Sequence, residues 1–193
     1  MWFANVVLVL ALGCRAAVAR IVIGYRVVSQ AEAAEINKIN RPFRDPNYED
    51  TEGWSQLGNG VYTSPRPAGW IHRERDWHCA IKADEHRFAA ASKAWIPYDD
   101  YYGNQMWNRG ERAISDYIDN SLHLDSDKTL RLSYVAGHGL NVQMLIPTAM
   151  VNSDALDFYA QCFRTKEELQ RYSDEVVDYD RWPNVIGYKG DPR

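Results

Sequence analysis

The pattern of short apolar segments, each ended by a glycine, a proline or polar residues, constrains the fold of this chain most. Six segments have the length and residue types of β-strands, and they begin near residues 21, 61, 77, 130, 142 and 156. Helical spacing follows Ser29, where Glu32 predicts a capping box, and recurs over residues 110–122. A polar helix is expected over residues 166–179. Strands that outnumber helices, with the helices bunched early, predict the α+β class.

The N-terminus has the features of a secretory leader. Residues 6–12 form a short apolar run, and Ala17, Val18 and Ala19 form a small-x-small cleavage site before Arg20. The run is too short to cross the roughly 30 Å hydrocarbon core of a membrane, although a buried N-terminal helix is an alternative. We therefore predict a signal peptide over residues 1–19 and a secreted, extracellular, soluble protein without a membrane span.

The cysteine pattern agrees with an oxidising compartment. Cys14 would leave with the leader, so that Cys79 and Cys162 remain. An even number of cysteines in a secreted chain predicts a disulfide between these two. Such a link would close a loop of about 80 residues and restrict the unfolded chain by about 4 kcal/mol. Two buried free thiols are the alternative.

Charge and histidine spacing argue against two classes of function. The formal net charge of −4 comes from interspersed acidic and basic residues, whereas a nucleic-acid partner requires clustered lysine and arginine. His72, His78 and His86 are irregularly spaced, and the chain contains no His-Glu-x-x-His motif. We therefore predict neither a nucleic-acid partner nor a metal site.

Three segments carry residues suited to binding a dinucleotide, and the first is Gly24-Tyr25-Arg26 at the end of the first predicted strand. A planar guanidinium offers paired donors to a diphosphate, which a lysine cannot match.

The second segment, residues 58–64, reads Gly-Asn-Gly-Val-Tyr-Thr-Ser. Its glycines permit close approach of the backbone to a flat ligand, on which Tyr62 could stack. An ordinary hairpin turn with a core tyrosine is the alternative. The third segment, residues 141–147, reads Asn-Val-Gln-Met-Leu-Ile-Pro and predicts a compact strand that ends at proline.

In this order, the three segments resemble the motifs of the ADP-ribosyltransferase superfamily, and its small secreted or toxin-like members most closely. The resemblance covers about residues 22–163. It implies a split β-sandwich with early helices flanking the sheets, and a cleft that binds NAD⁺ as the substrate. By this resemblance Arg26 would hold phosphate, Tyr62 would stack on nicotinamide, and Gly60 and Ser64 would line the ribose side. Gln143 would take the catalytic position.

The chain departs from the family pattern at that catalytic position. The family places a glutamate where this chain has Gln143, and Asn141 lies two residues before it. A carboxylate stabilises the positive charge that develops on the ribose, and a loss of about 3–4 kcal/mol would slow the reaction a few hundredfold. Glu74, Glu85 and Glu111 are candidates to replace the missing carboxylate.

The resemblance leads to a domain division and a function. We expect an ADP-ribosyltransferase-like domain over residues 20–164 and a polar helical tail over residues 165–193. The protein would transfer ADP-ribose to a host or target protein, or hydrolyse NAD⁺, in the manner of a toxin or effector. One alternative is a binding protein of the same fold without catalysis. Another is an unrelated carbohydrate-binding protein that uses the aromatic segment of residues 95–107.

Overall fold

The computed structural model describes residues 19–45, 55–70 and 73–193, which fold into two open β-sheets flanked by helices. The predicted α+β class is confirmed. The predicted leader lies outside the described residues except for Ala19. Among the residues described, no helix combines the length and the apolar character that crossing a membrane requires.

The described residues contain eight strands and five α-helices. The strands are β1 (Arg20–Val28), β2 (Gly60–Thr63), β3 (Trp77–Asp84), β4 (Ser92–Trp95), β5 (Thr129–Tyr134), β6 (Val142–Pro147), β7 (Tyr159–Phe163) and β8 (Val185–Ile186). The helices are α1 (Gln30–Ile39), α2 (Glu85–Ala90), α3 (Gly110–Asp116), α4 (Thr148–Asn152) and α5 (Lys166–Tyr172). A π-helical turn (Tyr117–Ser121) extends α3, and single 3₁₀ turns occupy Ser126–Lys128 and Tyr179–Arg181.

The two sheets differ in size and in strand direction. The smaller sheet has the order β1-β3-β7 and is antiparallel throughout. The larger sheet has the order β2-β6-β5-β4-β8, in which β4 runs parallel to both β5 and β8 and the other pairs are antiparallel. β2 and β8 are therefore the opposite edges of the larger sheet.

Alternation of side chains gives the larger sheet two buried faces. On β6, Met144 and Ile146 lie in the main core, which also contains residues of the smaller sheet. Leu145, between them, lies in a second core with Trp107 and Ile114. Because successive side chains of a strand point to opposite faces, one apolar run such as β6 supplies both cores.

Helix α1 begins as the sequence predicts, although the capping box is only half formed. The Ser29 side chain accepts a hydrogen bond from the Glu32 backbone nitrogen at 3.1 Å. The Glu32 carboxylate forms an ion pair with Arg26 instead of returning to the N-cap backbone. The start of α1 is therefore coupled to the end of β1.

The predicted disulfide between Cys79 and Cys162 is confirmed. The two cysteines lie opposite each other on β3, the central strand of the smaller sheet, and β7, one of its edge strands. The cross-link joins strands that are 83 residues apart in the sequence. By the loop-entropy argument it restricts the unfolded chain by about 4 kcal/mol.

The last 29 residues, 165–193, pack against the rest of the protein. The predicted helix over residues 166–179 is observed only over Lys166–Tyr172, with a capping box formed by Thr165 and Glu168. Beyond it, Val177 and Tyr179 lie in the main core, and β8 adds an edge strand to the larger sheet. The segment thus contributes to both the core and a sheet.

Candidate functional site

The two sheets meet where β1 passes the end of β2. Tyr25 and Ser64 exchange two backbone hydrogen bonds, with nitrogen–oxygen distances of 2.9 and 2.8 Å. Gly24 permits this approach, because a Cβ atom at that position would lie 2.7 Å from the Thr63 side chain. The first two sequence motifs are therefore held side by side by backbone contacts.

A hollow of about 340 Å³ opens beside this junction, and we call it the Arg26 hollow. Three of the residues singled out from the sequence, namely Arg26, Tyr62 and Gln143, line it. Val27, Ser55, Gln56 and Trp70 complete the lining. The hollow thus brings together a guanidinium, a phenol ring and an amide from three separate strands.

Arg26 is held from two sides at the hollow. Its Nε and Nη2 atoms lie 3.1 and 3.0 Å from Glu32 Oε1, and Nη1 donates to the Tyr62 carbonyl at 3.3 Å. These contacts use three of the five N–H donors that a guanidinium carries. Two donors remain available to a ligand, although Glu32 already balances the charge of Arg26.

The Tyr62 hydroxyl is committed to the turn before β2. It accepts a hydrogen bond from the Leu57 nitrogen at 2.7 Å and donates to the Gly58 carbonyl at 3.1 Å. Burial raises the pKa of Tyr62 well above its usual range, so the phenol stays protonated. The ring, rather than the hydroxyl, is the part of Tyr62 available to a ligand.

Gln143 is buried and anchored by its amide nitrogen. Nε2 donates to Ser133 Oγ at 3.2 Å and approaches the Tyr134 carbonyl at 3.5 Å. Gln56 Nε2 donates to the same two acceptors, at 3.1 and 2.6 Å. Two glutamine side chains therefore share one pair of acceptors at the floor of the Arg26 hollow.

Ser64 lines a neighbouring hollow of about 180 Å³, which we call the Ser64 hollow. Trp70 lines both hollows and so lies between them. The Ser64 hydroxyl is 3.0 Å from the Arg66 carbonyl and 3.4 Å from the Tyr25 carbonyl. The remaining lining of the Ser64 hollow is Pro65, Arg66, Gly69, Val135, His138, Asn141 and Val142.

Gly60 lies at the far end of β2, opposite Pro147. A Cβ atom there would overlap the Ile146 carbonyl, and its φ of +153° is one that other residues rarely adopt. Gly60 therefore serves the close pairing of β2 with β6 in this structure. Its predicted contact with a ribose stays a prediction.

The charged residues in the described lining of the two hollows are basic, although Glu32 beside the lining pairs with Arg26. Of the described residues that line them, none is acidic, and two are arginines. The three glutamates considered as replacements for the missing carboxylate lie outside both linings. Glu111 is bound to Arg131, with nitrogen–oxygen distances of 2.6 and 2.9 Å, while Glu74 and Glu85 are exposed.

The described residues contain no group of three or more histidine, cysteine or acidic side chains arranged to hold a metal ion.

Sequence reasoning missed Trp70 and Gln56. Trp70 follows a turn in which Ala68 has a positive φ of 52°, and Gln56 precedes the turn to β2. Neither residue belongs to a repeating apolar pattern, so periodicity gave no signal for them. The sequence signal available for both was proximity to the segment of residues 58–64.

One comparison with known protein families gives a match. A family model described as "Family of unknown function (DUF5910)" matches residues 55–188, which is more than half of the chain. The match spans β2 to β8 and therefore includes Tyr62, Ser64, Gln143 and most of the C-terminal segment. No curated protein matches the chain.

Proposed function

We propose that this chain, which belongs to the family of unknown function DUF5910, binds NAD⁺ across the Arg26 and Ser64 hollows. The observation that supports the proposal is the presence of Arg26, Tyr62 and Gln143 around one hollow. The resemblance to ADP-ribosyltransferases assigns these residues to phosphate, nicotinamide and ribose. Among the residues that the structure describes, the combined lining contains no acidic residue, which suits a diphosphate ligand.

Each residue has a defined task in the proposed complex. The two uncommitted N–H donors of Arg26 would bind diphosphate oxygens, and the Tyr62 ring would stack on nicotinamide. The amide nitrogen of Gln143 is used internally, so its carbonyl oxygen would accept a hydrogen bond from a ribose hydroxyl. Trp70, which lines both hollows, would contact the middle of the ligand.

The proposed reaction is cleavage of the bond between nicotinamide and C1′ of its ribose. Nicotinamide leaves with the electron pair of that bond, and a nucleophile attacks C1′ and loses a proton. Water as the nucleophile gives hydrolysis, and a side chain of a target protein gives ADP-ribosyl transfer. Since Gln143 supplies no negative charge to the developing oxocarbenium, we expect turnover to be slow.

The second candidate function is NAD⁺ binding without turnover, and the hydrogen bonding of Gln143 favours it. The amide donates to Ser133 and approaches the Tyr134 carbonyl, an environment that suits an amide better than a catalytic carboxylate. A chain of this kind would act through the partner that its ligand-bound form recognises.

We further propose that the protein is secreted. The Cys79–Cys162 disulfide supports an oxidising compartment, and the apolar run with its small-residue cleavage site supports a removable leader. Expression of the full chain in a secretory host should release a protein whose N-terminus is Arg20. Mass spectrometry of the medium tests this, and retention of the uncleaved chain in the cells would contradict it.

The secreted product is the material with which the NAD⁺ proposal is tested. Calorimetry measures NAD⁺ affinity, and chromatography measures nicotinamide release. We expect Arg26→Ala and Tyr62→Ala each to weaken NAD⁺ binding by about tenfold or more, because each removes one of the main ligand contacts. Arg112→Ala is the matched control, since that side chain is 95% exposed on α3 and should leave binding unchanged.

The outcomes separate the candidates. Binding with nicotinamide release that depends on Arg26 supports the enzyme, and binding without release supports the second candidate. Absence of NAD⁺ binding, or equal effects of Arg26→Ala and Arg112→Ala, would reject both.

A further inference from the structure

A third hollow, of about 670 Å³, lies at the opposite side of the larger sheet from the Arg26 hollow. It is formed by the segment after β4, the end of the π-helical turn and the residue Tyr188 beyond β8. β8 and β2 are separated by four strand spacings, or roughly 19 Å. We call it the tyrosine hollow, because Tyr101, Tyr102, Tyr117 and Tyr188 line it.

Three of the four tyrosines of this hollow are largely exposed, whereas Tyr117 packs against the second core. Tyr101 is 96% exposed, Tyr102 is 81% exposed and Tyr188 is 67% exposed. The rings of Tyr101 and Tyr102 contact each other edge to face at 5.5 Å. Because most of their ring surface is exposed to solvent, these tyrosines bury little apolar area and contribute little to the stability of the core. Exposed aromatic rings grouped around a concavity are typical of a binding site.

The loop that carries Tyr101 and Tyr102 is fixed by its own hydrogen bonds. The Asp100 carboxylate accepts from the Tyr102 nitrogen at 2.9 Å and from the Asn104 nitrogen and side chain at 2.8 and 2.9 Å. Asp99 and Gln105 close the loop with an antiparallel bridge. The backbone that carries both rings is therefore fixed before any ligand arrives, which reduces the entropy lost on binding.

The opposite wall of the hollow is formed by a π-helical turn, Tyr117–Ser121. Such turns are rare and occur frequently at functional sites. This one presents the side chains of Asn120 and Ser121 to the hollow, followed by His123, whose φ is +53°. All three side chains are exposed polar groups with hydrogen-bonding capacity for a ligand.

The charges around the hollow indicate a neutral ligand. Asp100 is the only acidic residue in the described lining, which contains neither lysine nor arginine. Burial disfavours its charge, but the hydrogen bonds from Asn104 and the loop nitrogens together outweigh this and lower the pKa of Asp100. Its charge is already engaged by those donors. The hollow thus combines apolar ring faces with neutral polar groups.

We propose that the tyrosine hollow is a binding site for oligosaccharides of β-linked hexopyranoses. In such sugars of the gluco configuration every ring substituent is equatorial, which leaves a flat face of C–H groups that stacks on a tyrosine ring. Their hydroxyl groups would bond to Asn120, Ser121 and the tyrosine hydroxyls. A protein partner is less favoured, because the core of a protein interface needs more apolar surface than a hollow lined by so many polar groups provides. The site is independent of the proposed NAD⁺ cleft.

Calorimetric or NMR titration of the secreted protein with chitotriose and with cellotriose tests the proposal. We expect millimolar or tighter binding of at least one trisaccharide, and a loss of about tenfold or more in the double variant Tyr101→Ala and Tyr102→Ala. Tyr101→Phe should retain most of the affinity, because it keeps the ring. Since both tyrosines are exposed, the double variant should melt at the temperature of the unmodified protein.

Two controls separate this site from the rest of the molecule. Ile39→Ala removes an exposed apolar side chain at the end of α1 and should leave sugar binding unchanged. Arg26→Ala should also leave it unchanged, so failure of the NAD⁺ proposal does not affect this test. The proposal is overturned if neither trisaccharide binds, or if the double variant binds as well as the unmodified protein. It is also overturned if Tyr101 and Tyr102 bind a protein partner and no sugar.

Discussion

The surroundings of Gln143 illustrate how single residues set the chemistry of the site. Ser133 donates its hydroxyl proton to the Tyr134 carbonyl at 2.8 Å. Its oxygen is then left to accept hydrogen bonds, and the amide nitrogens of Gln143 and Gln56 supply them. Both groups next to Gln143 Nε2 are therefore hydrogen-bond acceptors. They suit the N–H donor of an amide, whereas they would repel the negative charge of a carboxylate at this position.

We predict that Gln143→Glu destabilises the protein in a pH-dependent manner. Burial and the Tyr134 carbonyl should raise the pKa of the introduced carboxyl above the unfolded value of about 4.3. The loss of unfolding free energy caused by the carboxylate charge is then absent below the unfolded-state pKa. It grows as the pH rises from the unfolded-state pKa toward the folded-state pKa. At pH 8 it should reach about 2 kcal/mol, which urea unfolding at pH 5 and pH 8 would measure.

The control for this prediction is Gln143→Met, which has a similar size but does not titrate. It should lower the free energy of unfolding by a similar amount at both pH values. If Gln143→Glu lowers the free energy of unfolding by the same amount at pH 5 and pH 8, the site accommodates a carboxylate.

Among the elements, an ion pair between α3 and β5 fixes the turn that leads into β2. Arg131, fully buried on β5, forms a two-contact ion pair with Glu111 on α3. Arg131 also donates to the Leu57 carbonyl at 2.8 Å, and the Asn59 nitrogen donates to Glu111 at 2.6 Å. The same turn holds the Tyr62 hydroxyl, so the ion pair supports the placement of the Tyr62 ring.

We predict that Glu111→Gln lowers the free energy of unfolding by about 3 kcal/mol at pH 7, because Arg131 loses its buried counter-charge. Burial alone would raise the pKa of Glu111, but the hydrogen bonds and charge of Arg131 outweigh it and lower that pKa. The stabilisation is therefore full above the ordinary glutamate pKa and is lost as the pH falls through the lowered value.

Chemical denaturation of both proteins between pH 3 and pH 7 checks this prediction. The difference in free energy of unfolding between the unmodified protein and Glu111→Gln should be largest at pH 7 and should decrease as the pH falls toward 3. Glu35→Gln is the matched control, because the contact of Glu35 with Lys38 on α1 is exposed to solvent. A difference in free energy of unfolding that stays constant with pH would contradict the assigned role of Glu111.

The elements that sequence reasoning recovered are those with local signals. β5 and β6 follow from apolar segments bounded by polar or turn residues, and the start of α1 follows from its Ser29 cap. The short helices α2 and α4 and the short strands β4 and β8 were missed, because each is held mainly by the sheet that it packs on or pairs with. In the candidate site, motif residues were found by resemblance, whereas Trp70 comes from a loop whose position only the folded chain defines.

For the molecule as a whole, the last segment of the chain underlies the junction of the two sheets. Tyr179 is almost fully buried, and its hydroxyl lies 3.2 Å from Thr63 Oγ1 on β2. Its ring contacts that of Trp182 at 4.4 Å between centroids. The hydroxyl also lies close to Gly24, where β1 approaches β2. The segment of residues 165–193 therefore supports the strands that carry Arg26 and Tyr62.

We predict from this arrangement that a chain ending at residue 164 does not fold to the native state. Truncation would expose the part of the main core that Leu169, Val177 and Tyr179 cover, and would remove β8 from the larger sheet. The point variant Tyr179→Ala should lower the free energy of unfolding by about 4 kcal/mol, as expected for removal of a large buried aromatic side chain. Urea unfolding followed by tryptophan fluorescence measures the point variant, and near-ultraviolet circular dichroism reports on the truncated chain.

Arg181→Ala provides the control within the same segment, since the Arg181 side chain is 87% exposed and pairs with the nearby Asp178. It should change the free energy of unfolding by less than about 0.5 kcal/mol. A truncated chain with native-like near-ultraviolet circular dichroism would mean that residues 165–193 form a dispensable appendage. In that case the placement of Arg26 and Tyr62 would depend on the two sheets alone, and NAD⁺ affinity should survive the truncation.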